Sequence, residues 1–229
     1  MTQTFDLILK NGTVHTPGGA EQTDVGVRAG KIVAIGTHLG DAGEVIDCTG
    51  LDVLAGCIDS QVHFREPGLE HKEDLESGSR AAVLGGVTAV FEMPNTNPNT
   101  DTAARVHDKL VRARHRMWCD HAFYVGATAD NAEQLRELER IPGTAGVKIF
   151  MGASTGSLLV DDDDALSRVL ASGTRRVAIH AEDEARMNAR KDHRVEGDPS
   201  SHPVWRDDES AMIATKRIIA LARAARRRI

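Results

Sequence analysis

Up to about residue 50 the chain runs in short apolar segments broken by turn residues. Phe5-Asp6-Leu7-Ile8-Leu9-Lys10 reads as a strand closed by Asn11-Gly12. Asp24-Val25-Gly26-Val27-Arg28 and Lys31-Ile32-Val33-Ala34-Ile35 flank Ala29-Gly30, the pattern of a hairpin. Glu44-Val45-Ile46-Asp47 is a further strand, and no helical period intervenes. Residues 1–54 are therefore expected to form a small N-terminal β-sandwich portion.

From residue 55 the rhythm changes. Near-continuous apolar strands are expected at 87–94, 120–126, 146–151 and 176–180, with helices at 72–84, 101–116, 131–140, 162–171 and about 207–227. Asp130 followed by Glu133 is an N-terminal capping pattern for the third helix. Apolar strands alternating with helices predict a parallel sheet covered by helices, in five strand–helix units. Arg65, Glu92, Asn95, Lys148, His180 and Glu182 fall near the C-terminal ends of their strands. An open doubly wound sheet concentrates its ligand at one switch point, whereas barrels use every strand end. The fold class expected is α/β, an incomplete (β/α)8 TIM-type barrel over residues 55–229.

The chemistry gathers around Gln61-Val62-His63-Phe64-Arg65-Glu66-Pro67-Gly68. It follows Leu54-Ala55-Gly56-Cys57-Ile58-Asp59, which reads as a buried strand. Strand alternation puts Gln61, His63 and Arg65 on one face. That face either opens into a polar cavity or is a surface edge. His63 and His180, one from each of two strands, are candidate metal ligands. Lys148 lies between Val147 and Ile149 with its side chain on the opposite face. A lysine there is costly unless paired or deprotonated. It either adds carbon dioxide to become a metal-bridging carbamate or pairs with an acid such as Glu92 or Glu182. Gly152-Ala153-Ser154-Thr155-Gly156-Ser157 lacks the Gly-Lys-Ser/Thr of a phosphate loop and reads instead as an active-site loop. Asp161 to Asp164 and the basic end Arg223, Arg226, Arg227 and Arg228 read as helix-dipole compensation. The other histidines are background.

Composition narrows the class. Of 229 residues, 41% are hydrophobic, 27% charged and 3% aromatic, so a globular core must rest on aliphatic side chains. The net charge of −6 argues against nucleic-acid binding. The sequence shows neither a basic-then-apolar leader nor an apolar run of membrane-spanning length. Cys48, Cys57 and Cys119 form no C-x-x-C pair, and reduced, buried thiols in a cytoplasmic protein are expected.

Four segments taken together resemble dihydroorotase of the amidohydrolase superfamily. They are His63-Phe64-Arg65-Glu66-Pro67-Gly68, Glu92-Met93-Pro94-Asn95-Thr96, Val147-Lys148-Ile149-Phe150-Met151-Gly152 and His180-Ala181-Glu182-Asp183, in family order across essentially the whole chain. The resemblance implies a zinc hydrolase that interconverts N-carbamoyl-L-aspartate and dihydroorotate in pyrimidine biosynthesis. It implies His63 and His180 as metal ligands, Lys148 as a carbamylated bridge between one or two zinc ions, and Arg65 and Asn95 as the grip on a substrate carboxylate. Gln61 stands where the family has a histidine, and an amide oxygen is a poor zinc ligand. The catalytic aspartate, a further metal histidine and three more strands are expected beyond Ile229. Residues 1–229 alone are accordingly expected to be inactive. A homo-oligomer is expected, with possible assembly with another pyrimidine-pathway enzyme. The alternatives are a hydantoinase- or allantoinase-type cyclic amidase and a non-catalytic, dihydroorotase-like structural subunit.

Overall fold

The structure is a computed structural model that describes residues 5–152 and 158–229. The chain divides into two compact units, Met1–Gly56 and Cys57–Ile229.

The first unit is a single mixed sheet, β3-β2-β1-β4, with β5 also paired to β1. Its strands are β1 Phe5–Thr16, β2 Gly19–Arg28, β3 Lys31–Gly36, β4 Ala42–Asp47 and β5 Asp52–Val53. The expected hairpin is present, β2 and β3 pairing antiparallel around Ala29 and Gly30, both at positive φ. The described strands of this unit form one sheet. One expectation is corrected: Asn11-Gly12 does not end the first strand, because Asn11, at φ 62°, is absorbed as a bulge within β1. Its backbone N–H donates to Asp24 Oδ1 at 2.8 Å and so keeps a partner.

The second unit is a five-stranded parallel sheet, β10-β9-β8-β7-β6. Its strands are β6 Cys57–Val62, β7 Val87–Glu92, β8 Asp120–Gly126, β9 Thr144–Phe150 and β10 Val177–His180. The helices are α1 Leu75–Leu84, α2 Ala103–Ala113, α3 Leu135–Leu138, α4 Asp163–Ala171, α5 Glu184–Ala189, α6 His202–Trp205 and α7 Asp208–Ala224. Five begin at side-chain caps: Asp74, Thr102, Asp162, Asp183 and Asp207. The helix expected over 131–140 is only a 3-10 turn and the single turn α3. Asp130 is not its cap. Asn131 is held outside the helix by donating to the Asp101 and Gly126 carbonyls, both at 2.9 Å.

One face of this sheet is apolar and the other is not. Val125, Val147, Ile149 and Val177 pack with Leu166 and Val169 of α4 and Ala214 and Ile218 of α7. Val90 and Phe123 continue that face with Phe64, Leu75 and Ala113. The opposite face is where the polar strand residues emerge. The sheet edge at β6 corrects the sequence reading of residues 54–59: Leu54 and Ile58 are 67% and 64% exposed, and Cys57 is exposed instead of buried. An edge strand has a neighbour on one side only, and β6 pairs with β7 alone. Among the described residues no helix is long and apolar enough to cross a membrane.

Candidate active site

Strand register decides which side chains share a face. Paired residues on parallel strands project to the same side, and every second residue follows. His180 pairs with Phe150, and Lys148 lies two residues before Phe150, so Lys148 and His180 share a face. Gly126 pairs with Lys148, which places Tyr124 on that face. Ala122 pairs with Phe91, whose ring meets Tyr124 edge-on at 6.3 Å. Val62 pairs with Glu92 on the helix side, and Phe64 packs there too, leaving His63 to the face of Phe91 and Lys148.

His63 directly follows β6, with its Nδ1 2.8 Å from Asn95 Oδ1. A carboxamide oxygen only accepts, so Nδ1 carries the proton and Nε2 the lone pair. Burial lowers the His63 pKa, the Asn95 bond opposes this, and the charges of Arg65, Lys148 and Lys109 lower it further. The imidazole is therefore kept neutral, the form a metal needs.

Lys148 is 1% exposed, and burial pulls its pKa down to about 8. Its Nζ lies 5.1 Å from the Phe150 ring centroid. The Phe150 ring is in turn 5.9 Å from that of His180. Neither acid weighed as a partner reaches Lys148. Glu92 pairs with Lys109, and Glu182 pairs with His180 and Arg206.

At the end of β10, His180 Nε2 bonds the Glu182 carboxylate. Arg206 Nε donates to Glu182 at 2.8 Å, and Arg206 Nη2 sits 3.4 Å from His180 Nε2. Burial raises the Glu182 pKa, but the bonds from Arg206 and His180 outweigh it, and the net shift is downward. An ionised carboxylate only accepts, so His180 carries its proton on Nε2 and offers the lone pair at Nδ1. The sequence reading missed Arg206 and Lys109, both of which reach strand ends from the helical layer. Residues 153–157 of the expected active-site loop lie outside the described residues.

The donor set fits a metal in part. Two imidazoles and a lysine whose pKa burial lowers to about 8 are ligand types of the right chemistry. Among the described residues there is, however, no group of three His, Cys, Asp or Glu side chains able to hold an ion. Gln61 lies within the register shift between Asp59 and Val62 and is exposed.

Comparison with known proteins defines a class. Residues 50–152 match the family model described as dihydro-orotase-like. The relatives found are cyclic amide hydrolases. An allantoinase of Escherichia coli (strain SMS-3-5 / SECEC) is 37% identical over 238 residues, covering 96% of this chain and 51% of the relative. Among solved structures, the L-hydantoinase (dihydropyrimidinase) from Arthrobacter aurescens superposes with a TM-score of 0.86 at 27% identity, over 96% of this chain and 51% of that one. The dihydropyrimidinase from Brevibacillus agri NCHU1002 gives 0.81 at 31%, over 95% and 50%. The second unit is thus an α/β fold whose curled parallel sheet is a half-barrel like that of the hydantoinases. The chain spans about half the length of the curated relatives it matches. These relatives favour the allantoinase and hydantoinase branch over dihydroorotase itself.

Proposed function

We propose that the full-length protein opens the ring of a cyclic ureide by hydrolysis, with allantoin as the first candidate and 5-substituted hydantoins as the second. Water adds to a ring carbonyl, the carbonyl carbon–nitrogen bond breaks, and the nitrogen leaves with a proton. The observation that carries this reading is the common face of His63, Lys148 and His180 at the strand ends. The half-barrel is read as five units of a (β/α)8 barrel. Dihydroorotate remains a substrate to assay because Arg65 and Asn95 suit a carboxylate.

His63 through Nε2, His180 and a carbamylated Lys148 are the residues that would hold zinc. Bound there, zinc would polarise the ring carbonyl and acidify water. Lys148, with its pKa near 8, is partly uncharged at neutral pH and nucleophilic enough to take up carbon dioxide. Asn95 fixes the His63 tautomer. Arg65 would supply a cation for a carboxylate on a substrate that carries one. Phe91, Tyr124 and Phe150 wall the same face with apolar surface. The acid–base aspartate is assigned to the remainder of a longer chain. The open edges β6 and β10 support a homo-oligomer or a partner chain.

A second reading has its own observation. Gln61 is a weak metal donor, and the described residues lack a His, Cys, Asp or Glu trio. A non-catalytic structural subunit matches that shortage. Zinc analysis of the full-length protein, with assays on allantoin, hydantoin and dihydroorotate, separates the two. Bound zinc with turnover of a ureide supports the enzyme; a metal-free, inert protein supports the subunit.

A further inference from the structure

β10 ends in His180, and side chains from beyond the strand hold its ring. Glu182, two residues on, takes the imidazole at Nε2. Arg206, just after α6, takes the same carboxylate with its guanidinium fork. Its Nε donates to Glu182 Oε1 at 2.8 Å and its Nη2 to Oε2. The Arg206 guanidinium carbon lies 5.6 Å from the Trp205 ring centroid, a cation–π distance. The imidazole also meets the Phe150 ring at 5.9 Å between centroids.

The backbone fixes where both members of the ion pair sit. Each directly precedes a helix cap: Asp183 caps α5 and Asp207 caps α7. The two caps are tied through Ser210, which is wholly buried. Asp183 N–H donates to Ser210 Oγ at 2.9 Å, and Ser210 N–H to Asp207 Oδ1 at 3.1 Å. Asp207 also accepts from Arg186 Nε at 2.8 Å and pairs with Arg190 Nε at 3.0 Å. Glu182 and Arg206 thus emerge side by side from one clasp between α5 and α7. Their side chains are 16% and 21% exposed, a setting in which an ion pair alone adds little stability. The third member sets this pair apart. His180 shares the sheet face of Lys148. A carboxylate gripped at both oxygens cannot swing, so its bond to Nε2 fixes both the rotation and the tautomer of the ring.

We propose that Glu182 and Arg206 are positioning residues for His180: the carboxylate holds the imidazole by Nε2–H and leaves Nδ1 as the free donor nitrogen, while Arg206 holds the carboxylate. This rests on the reading of His180 as a zinc ligand. The test uses the full-length protein labelled with nitrogen-15 in histidine. Metal-free protein at about pH 8, where an ordinary imidazole is neutral, reports the tautomer by nuclear magnetic resonance. His180→Gln identifies the His180 signals by their loss. Zinc affinity is read separately by competition with a chelator. In wild type, His180 should be protonated at Nε2 alone. Glu182→Leu removes the acceptor and should give mixed tautomers, with zinc bound about ten- to a hundredfold more weakly. Glu182→Gln keeps a carbonyl oxygen for Nε2–H without the ion pair. It should keep the wild-type tautomer and bind zinc within about tenfold of wild type. Arg206→Met leaves the carboxylate unheld and should weaken zinc binding about tenfold. An ion pair that serves stability alone is lost as fully in Glu182→Gln as in Glu182→Leu, so equal behaviour of the two overturns the proposal. A wild-type His180 protonated on Nδ1 overturns it, as does an unchanged tautomer in Glu182→Leu. If Glu182→Leu does not fold, Arg206→Met decides, and wild-type zinc affinity there overturns the proposal. A wild type that binds no zinc sinks the functional reading, and the tautomer spectra still decide the positioning claim.

Discussion

His63 and Asn95 are joined at 2.8 Å across the ends of β6 and β7, and the bond fixes which imidazole nitrogen is free. Asn95 thus has a role besides any contact with substrate. Replacing it with Leu frees the His63 ring to change tautomer and rotate. In the full-length protein this should weaken zinc binding by about ten- to a hundredfold, the usual cost of losing such a partner. Competition against a chelator measures it, and unchanged affinity would count against His63 as a ligand.

Lys148 makes a pH prediction whose sign is fixed. Its folded pKa of about 8 lies below the ordinary 10.5. Between those values the unfolded chain holds a proton that the folded one does not, so stability rises with pH across that window. The full difference is about 3 kcal/mol at 1.36 kcal/mol per pKa unit. Lys148→Met should abolish the rise and stabilise the chain at pH 7, as read by urea titration. Labelled bicarbonate should give a carbamate carbon signal that the same variant lacks.

Gln61 tests the shortage of donors. Gln61→His adds an imidazole two residues before His63 and should raise zinc content in the full-length protein, as measured by elemental analysis. No change in content would show that position 61 does not face the metal.

Asp207 caps α7 and binds Arg186 through both oxygens, at 2.8 and 2.6 Å. Arg186 holds the Asp207 carboxyl down at about 2 from an ordinary 3.8. A depressed acid stabilises the fold above its ordinary pKa, and that contribution is lost as pH falls through the folded value. Protection of the α5 and α7 starts in hydrogen exchange should therefore decline between pH 4 and about 2. Asp207→Asn should be weaker throughout and flat across the same window.

Gly78 of α1 lies against Phe64, the residue that anchors the turn behind His63. A Cβ there would sit 2.4 Å from Phe64 Cδ1. Gly78→Ala should cost about 1–3 kcal/mol by overpacking, despite alanine's better helix propensity. Chemical denaturation reads the cost. A stabilised variant would mean that the ring moves freely.

The strand–helix alternation was legible from near-continuous apolar runs separated by longer mixed stretches; the caps at Asp74, Thr102 and Asp207 that start the helices were not recognised. That Lys148 projects opposite Val147 and Ile149 was legible from the period of two; that His180 shares its face depends on the strand register, which the sequence does not show. Lys109 was not recognised because a lysine in a basic helical stretch looks solvated. A signal did exist: Val106, Lys109 and Ala113 fall on one helical stripe, and all three are buried. What the sequence could not show is that an acid from β7 would meet that stripe. The exposure of Leu54 and Ile58 was missed for the opposite reason. Apolar content does not reveal whether a strand has one neighbour or two.

β6 and β10 are the outermost strands of their sheet; His63 directly follows the one and His180 ends the other. Laid flat, four strand spacings of about 4.8 Å would hold the two histidines about 19 Å apart. A single zinc accepts two imidazoles only when each nitrogen is about 2 Å from it. Curvature must supply the difference, so shared metal occupancy would act as a caliper on the bending of the whole sheet. A substitution far from either histidine that flattens the three inner strands would then release the ion without touching a ligand.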